Sequence, residues 1–116
     1  MTAPHTRFAY ATRLNGFKAN AAQVWPQRNR ITSLDLIERA ATVPGLSAVD
    51  FNFPDHLEGT SAREIRAKLD GLGISLNGFA MRFYSDPGFK TGALGHPEAP
   101  LRAKALDLTL RGLDAL

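Results

Sequence analysis

The sequence predicts an α/β fold with a parallel sheet, because strand-like and helix-like segments alternate along the chain. Three short segments, rich in aromatic and β-branched residues, show the two-residue periodicity of strands. A segment with helical periodicity follows each of them, and two of these begin with the spacing of an N-terminal capping box. Helices in these positions can serve as right-handed crossovers between parallel strands. The predicted order is therefore βαβαβα.

The first βα unit is predicted over residues 8–45. Residues 8–14 (FAYATRL) alternate as a strand does, and Asn15-Gly16 is a turn signal that ends it. The helical signal is weak from there to Thr32, which begins a helix with Asp35 as its capping-box partner. Pro44-Gly45 ends that helix. The expected buried stripe comprises Leu36, Ile37, Ala40 and Ala41.

The second unit is predicted over residues 48–73. Its strand, Ala48–Phe53, is stopped by Pro54, and Ser61 with Glu64 forms the second capping box. On the strand, one face carries Val49, Phe51 and Phe53, and the other carries Ala48, Asp50 and Asn52. The helix is expected to bury Ile65, Leu69 and Leu72.

The third unit begins with a strand over Ile74–Ala80 and ends with a helix that starts at Pro100. The connection between them is unusually long, and loops of this length are commonly functional or disordered. Its large apolar side chains argue against disorder. They are Phe79, Met81, Phe83, Tyr84 and Phe89. The last helix carries two apolar rows, one of Leu101, Ala105 and Leu108 and one of Leu106, Leu110 and Leu113.

Composition narrows the classes of function. The 116 residues suffice for one domain, and the absence of cysteine excludes disulfides, a thiolate nucleophile and a Cys-based zinc site. No apolar run is long enough to span a membrane, and the N-terminus lacks the apolar core of a secretory signal, so we expect a cytoplasmic protein. The net charge of +3 comes from scattered residues, which fits solvated helix faces better than a nucleic-acid surface.

The predicted sheet has one face that no helix covers. Parallel sheets are normally buried on both faces, yet this face would show small and polar residues. They are Ala9, Ala11, Asp50, Asn52, Ser75 and Asn77. A closed barrel resolves the conflict, because those residues would then point inward. We therefore expect residues 1–116 to form the N-terminal three-eighths of a (β/α)8 barrel, an incomplete domain whose fourth strand lies beyond Leu116. An assembly of part-barrels is the alternative.

The carboxyl ends of the strands are where a (β/α)8 barrel places its site. This rule selects Arg13 and Asn15 after the first strand, residues 52–56 after the second and residues 77–84 after the third. Amides and an arginine suit hydroxyl-rich or carbonyl ligands, since they donate and accept hydrogen bonds. The alternative is that Asn15 and Asn52 cap turns. The candidate substrate-binding residues are Asn15, Asn52, His56, Asn77, Tyr84 and Phe89.

Other ionisable residues give weaker signals. His5, His56 and His96 show no metal-ligand spacing, and only His56 falls at the predicted mouth, where a solvent-facing loop histidine is the alternative to a binding residue. Asp55 and Glu58 form a potential acid–base pair, with surface solvation as the alternative.

The third loop and helix carry the motif that links the chain to a known family. The run DPGFKTGALGHPEAPLRAKALDLTLRGL (86–113) resembles the third-strand loop and third helix of the xylose isomerase-like barrel proteins, in which Pro-x-Phe-Lys-x-Gly-Gly precedes a helix with Arg-x-x-Ala. Residues 31–56 resemble the family's first helix and second strand. The matching positions in the motif are Pro87, Phe89, Lys90, Gly92, Arg102 and Ala105.

The resemblance implies a metal-dependent sugar isomerase or epimerase of the aldose–ketose type, using Mn²⁺ or Mg²⁺. It places the metal ligands on later strands, so this chain would supply part of the substrate pocket and bind no metal by itself. Asn52 stands where xylose isomerases have a histidine, which favours other sugar isomerases of the superfamily. Tyr84 is the counterpart of the aromatic that walls the substrate. The complete protein could form a homo-oligomer.

Two alternatives belong to other classes. An apurinic endonuclease-like enzyme would use the basic charge, but such enzymes draw metal histidines from early strand ends, where this chain has Asn52 and Asn77. A small non-catalytic interaction domain would instead pair its open sheet edge with another chain.

Overall fold

The described part of the chain forms a sheet of three parallel strands in the order β1-β2-β3, as the alternation of elements predicts. A computed structural model describes residues 8–116 of the chain. The strands are β1 (Tyr10–Arg13), β2 (Leu46–Phe53) and β3 (Ser75–Met81). The first strand is shorter than predicted, because the chain turns into a 3₁₀ helix at Leu14, whose side chain is fully buried. The observed architecture is an α/β sheet built from consecutive βα units.

Within residues 8–116, four α-helices connect and follow the strands. They are α1 (Ala21–Val24), α2 (Ser33–Ala41), α3 (Ala62–Leu72) and α4 (Ala99–Ala115). The single turn α1 lies in the connection where the sequence shows only a weak helical signal. Four 3₁₀ helices lie in the connections after the strands: Leu14–Lys18, Asp55–Leu57, Phe83–Ser85 and Pro87–Phe89.

Both predicted capping boxes are present. The Thr32 backbone N–H donates to the Asp35 carboxylate at 2.8 Å at the start of α2. At the start of α3, the Ser61 N–H donates to Glu64 at 2.9 Å and the Glu64 N–H donates to the Ser61 hydroxyl at 3.2 Å. Each box satisfies donors that a helix leaves free in its first turn. The sequence therefore specifies where both helices begin.

The core lies between the sheet and helices α2 and α3. Burial of one large aliphatic or aromatic side chain contributes about 1.5–3 kcal/mol, so a cluster of this size is the main source of stability. Leu72, expected in the buried stripe of α3, is instead partly exposed at the end of that helix. The buried cluster comprises Leu14, Leu36, Ile37, Ala40, Val49, Phe51, Ile65, Leu69 and Ile74.

A bulge in β3 changes which face its residues occupy. Val49 pairs with Leu76, but the next residue, Asp50, pairs with Gly78, so Asn77 is an extra residue in β3. Such an insertion moves every later side chain to the opposite face. Phe79 therefore lies on the helix side, where its ring stacks on Phe53 with centroids 5.3 Å apart.

Helix α4 packs on the sheet through one of its two apolar rows. Ala105 and Leu108 are buried, and a Cβ at Gly112 would lie 3.3 Å from Met81 Sδ and 3.4 Å from Phe53 Cδ1, so glycine permits this close approach. The second predicted row stays exposed; its members are Leu106, Leu110 and Leu113. None of the helices over residues 8–116 is both long and apolar enough to cross a membrane.

Candidate functional site

Four polar side chains meet on the sheet face opposite the helices. The Arg13 guanidinium donates to the Asn52 side-chain oxygen at 2.5 Å. Two residues before Asn52 in β2, Asp50 accepts a hydrogen bond of 2.8 Å from the Asn77 side-chain amide. Arg13 and Asp50 are also paired residues of neighbouring strands. The uncovered face therefore carries two hydrogen-bonded pairs that join all three strands.

Small residues border this cluster on β3. Gly78 lies opposite Asp50 and Ala80 lies opposite Asn52 in the strand register. A Cβ at Gly78 would lie 4.0 Å from the Asp50 carboxylate, so the glycine keeps the space beside that oxygen open. We define Arg13, Asp50, Asn52 and Asn77 as the polar face cluster. Arg13, Asp50 and Asn77 offer N–H donors and carboxylate and amide acceptors to a ligand, whereas Asn52 is fully buried and accepts the hydrogen bond from Arg13.

Asn52 is held rigidly at the end of β2. It is only 1% exposed, and its backbone N–H donates to His56 Nδ1 at 2.8 Å. His56 is itself 3% exposed, with its ring perpendicular to Phe51 at a centroid distance of 5.7 Å. The histidine is thus buried beneath the strand end, where it fixes the backbone that presents Asn52.

The environment of His56 favours its neutral form. Burial, which penalises the imidazolium, is the largest effect and Lys18 adds to it, so the pKa of His56 falls from 6.5 to about 4. Asp55 opposes this change, while Arg82 and Arg13 reinforce it. Because Nδ1 accepts a hydrogen bond, the single proton of the neutral ring resides on Nε2. Nε2 is buried and has no hydrogen-bond partner among the described residues.

The remaining predicted residues are not brought to the polar face cluster. Asn15 is an exposed residue of the 3₁₀ helix after β1. Tyr84 is 71% exposed in the 3₁₀ helix Phe83–Ser85, with the Arg82 guanidinium 4.5 Å from its ring centroid. Phe89 is buried in the third loop, where it meets Phe83 edge-on at 5.8 Å.

The long third loop is ordered by contacts with α4. Lys104 pairs with Asp86 at 2.6 Å and lies 5.5 Å from the Phe89 ring centroid. The hydrogen bond from Lys104, together with one from the Gly88 N–H, lowers the pKa of the Asp86 carboxyl. Arg102 donates to the carbonyl of His96 at 2.7 Å. Phe89 and Arg102, both within residues 86–113, therefore join the loop to α4.

The other histidines and the carboxylate pair have separate positions. His96 is buried in the third loop, where Nδ1 accepts the Glu98 N–H at 3.0 Å and Nε2 meets the Thr91 hydroxyl at 2.9 Å. His5 lies outside the described residues. Asp55 faces Arg82, with a carboxylate oxygen 4.0 Å from Nε. Arg82, which follows β3 directly, lies within the range 77–84 that the strand-end rule selects but is not among the named candidate residues.

No family model and no curated protein matches the chain. The resemblance to xylose isomerase-like proteins, drawn from residues 31–56 and 86–113, therefore stays a prediction from the sequence. Among the described residues, no group of three or more His, Asp or Glu side chains is arranged to hold a metal ion.

Proposed function

We propose that the polar face cluster is part of the substrate wall of a sugar isomerase- or epimerase-type (β/α)8 barrel. The observation that carries the proposal is the convergence of Arg13, Asp50, Asn52 and Asn77 on one uncovered sheet face. A barrel would enclose this face and turn these groups toward a ligand. The motif of residues 86–113 supports the same family.

The chemistry of the cluster suits a neutral polyol. Arg13 has further N–H donors beyond the one used by Asn52, and Asp50 can accept from ligand hydroxyls in addition to Asn77. Sugars need such bidirectional hydrogen bonding, because every hydroxyl both donates and accepts. Tyr84 stands at the rim, where its ring could pack against the C–H face of a sugar.

The divalent metal implied by the family does not fit the described residues. Asp50 is the only carboxylate of the polar face cluster, and the described part of the chain offers no three-ligand group near it. The role proposed for these residues is therefore to bind and orient the sugar, and no reaction step is assigned to a metal held by them.

The test is sugar binding followed by backbone amide NMR. A panel of aldoses and ketoses is titrated into the wild-type protein and into Arg13→Gln and Asn77→Ala variants. We expect saturable shifts at β2 and β3 with some sugars, weakened about tenfold by Arg13→Gln through loss of a charged donor. Arg66→Gln, which removes an exposed arginine on α3, is the matched control and should leave binding unchanged.

Two results would count against the proposal. One is the absence of saturable shifts with every sugar of the panel. The other is shifts that map to the helix side of the sheet or persist unchanged in Arg13→Gln.

A non-catalytic interaction domain is the second candidate, and the exposed row of α4 favours it. Leu106, Leu110 and Leu113 are each more than half exposed on one side of the helix. Such a continuous apolar row is typical of a helix that packs against further structure. Light scattering distinguishes the two candidate functions by measuring the mass of the protein in solution. A defined oligomer that dissociates in the Leu110→Lys variant would support association through this surface.

The basic charge does not favour a nucleic-acid role. Among the described residues, several cations are paired with acids, which reduces the positive charge available to a nucleic-acid backbone. The pairs are Arg28–Asp35, Arg66–Asp70, Lys68–Glu38, Arg82–Asp55, Lys104–Asp86 and Arg111–Asp107.

A further inference from the structure

At the end of β2, the side chain of His56 bonds a backbone donor that β1 does not pair. The register of β1 with β2 ends at Arg13 and Asp50, two residues before Asn52. The Asn52 N–H instead donates to His56 Nδ1 at 2.8 Å. Buried backbone N–H groups need an acceptor, and Asn52 is almost completely buried. The imidazole therefore holds the end of β2 where the neighbouring strand has stopped.

The His56 ring is itself held in one place. The residue is buried, and its ring lies perpendicular to that of Phe51. The Ser33 hydroxyl at the start of α2 donates to the His56 carbonyl at 2.5 Å, which ties the turn to that helix. Because packed interiors leave little room for a ring to move, Nδ1 stays directed at the Asn52 backbone.

Asn52 connects the buried ring to an exposed cation of the polar face cluster. Its backbone N–H is bonded to His56, and its side-chain oxygen accepts a hydrogen bond from the Arg13 guanidinium at 2.5 Å. A carboxamide on a fixed backbone presents its oxygen in one position, and a charged donor makes a comparatively strong hydrogen bond to it. The orientation of the Arg13 guanidinium therefore depends on the bond between Asn52 and the imidazole.

Only the neutral ring can hold Asn52. Nδ1 accepts the N–H while it carries no proton, whereas both nitrogens of the imidazolium are donors. Since Nε2 carries the proton of the neutral ring, an added proton goes to the nitrogen that holds Asn52. Burial and then Lys18 lower the pKa of His56 to about 4, so this bond is lost only in acid solution. The charged groups around the ring are Arg13, Lys18, Arg30, Asp55, Glu58 and Arg82.

We propose that His56 is a positioning residue of the polar face cluster: its neutral ring fixes Asn52 and, through Asn52, the guanidinium of Arg13, so that protonation of the ring releases Arg13 and weakens ligand binding. The effect on the ligand rests on the sugar-binding proposal. The coupling of His56 to Arg13 exists in the free protein and is measured without any sugar.

The first experiment follows the free protein by NMR from pH 7 to pH 4. It records the imidazole ¹⁵N resonances of His56, the backbone N–H of Asn52 and the side-chain N–H groups of Arg13. We expect all three residues to change with one common midpoint, because a single proton breaks the bond that links them. Asn52→Ala keeps the backbone N–H but removes the oxygen that Arg13 contacts, so Arg13 should no longer respond to the ring.

Two variants compared at pH 7 separate positioning from packing. The side-chain oxygen of His56→Asn lies near the former Nδ1 and can accept the Asn52 N–H, whereas the amide of His56→Gln reaches toward the former Nε2. His56→Asn should keep the wild-type Arg13 resonances and bind sugar within about twofold of the wild type, and His56→Gln should bind about tenfold more weakly. Both variants lose the imidazole, so a purely structural role would affect them alike.

The pH dependence of sugar affinity gives a second comparison. The affinity of the wild type should fall about tenfold more between pH 6 and pH 4 than that of His56→Asn, which has no ring to protonate. Asp50 is present in both proteins, so its own titration cancels. His96→Asn, which replaces a buried histidine of the third loop, is the matched control and should behave as the wild type does.

Two results would overturn the coupling. One is an unchanged Arg13 spectrum while the His56 ring titrates. The other is an equal change of the Arg13 resonances in His56→Asn and His56→Gln at pH 7, where a far-UV circular dichroism spectrum like that of the wild type verifies folding. Sugar binding without an Arg13 response refutes the coupling alone, whereas an Arg13 response without sugar binding refutes the sugar proposal and leaves the coupling in place.

Discussion

Protonation of His56 should make this protein lose stability in mildly acidic solution. The folded pKa is about 4 because the ring is buried near Lys18, whereas an exposed histidine in the unfolded chain has a pKa of about 6.5. The unfolded state therefore binds more protons between these values, and stability falls as the pH is lowered through this window. The stability contributed by the neutral His56 ring is fully present above pH 6.5.

The expected magnitude follows from the two pKa values. Between pH 7 and pH 5 the unfolded histidine becomes almost fully protonated while the folded one stays neutral, which lowers the free energy of unfolding by about 2 kcal/mol. The carboxyl groups of Glu64 and Asp86 affect stability in a lower pH range. The hydrogen bond from the Ser61 backbone lowers the pKa of Glu64 and the one from Lys104 lowers the pKa of Asp86, so their contributions are lost only as the pH falls below about 5.

Urea denaturation at pH 7 and pH 5 measures this effect in the wild type and in His56→Gln. At pH 7 the variant should be less stable than the wild type, because the packing of the imidazole ring is lost. Between pH 7 and pH 5, however, the free energy of unfolding of the variant should fall by about 2 kcal/mol less than that of the wild type. An NMR titration of the folded ring gives the pKa directly. The reasoning is refuted if the folded ring titrates near 6.5, or if His56→Gln retains the wild-type pH dependence.

Two further predictions concern turns and core. Gly59→Ala should cost about 1–2 kcal/mol, because φ of 74° disfavours a side chain, whereas Gly16→Ala, with open space around it, should change stability by less than about 0.5 kcal/mol. Leu36→Ala, at a side chain 1% exposed, should cost about 2–5 kcal/mol, and Leu110→Ala, at one 51% exposed, less than about 0.5 kcal/mol. Chemical denaturation measures the free energy of unfolding of all four variants. Equal losses of stability in the two glycine variants, or in the two leucine variants, would contradict the reasoning from backbone geometry and burial.

Local signals predicted the elements well. The capping boxes at Thr32 and Ser61 determine where α2 and α3 begin, because they act within four consecutive residues. Gly73, in the left-handed conformation, ends α3. Parallel pairing also follows from the alternation of strands and helices, since each helix returns the chain to the same end of the sheet.

The side-chain environment was less predictable. Strand periodicity alone places Phe79 on the same face as Asn77, but the bulge at Asn77 turns Phe79 toward the helices. From the sequence His56 is interpreted as a loop histidine, and only the tertiary structure shows that it is buried and bonded to the Asn52 backbone. Phe89 reads as a pocket aromatic, yet it packs within the loop beside Lys104.

The sequence by itself determined the α/β class, the order of the elements and the positions of two helix starts. These depend on residue periodicity and on hydrogen bonds between near neighbours in the chain. Only the tertiary structure decided that Arg13 meets Asn52, that Asp50 meets Asn77, and that His56 lies buried at a strand end, with one ring nitrogen that no residue from 8 to 116 pairs with. Those contacts join residues from different strands and turns, and they depend on the register of the sheet and on one bulge, which no local pattern records.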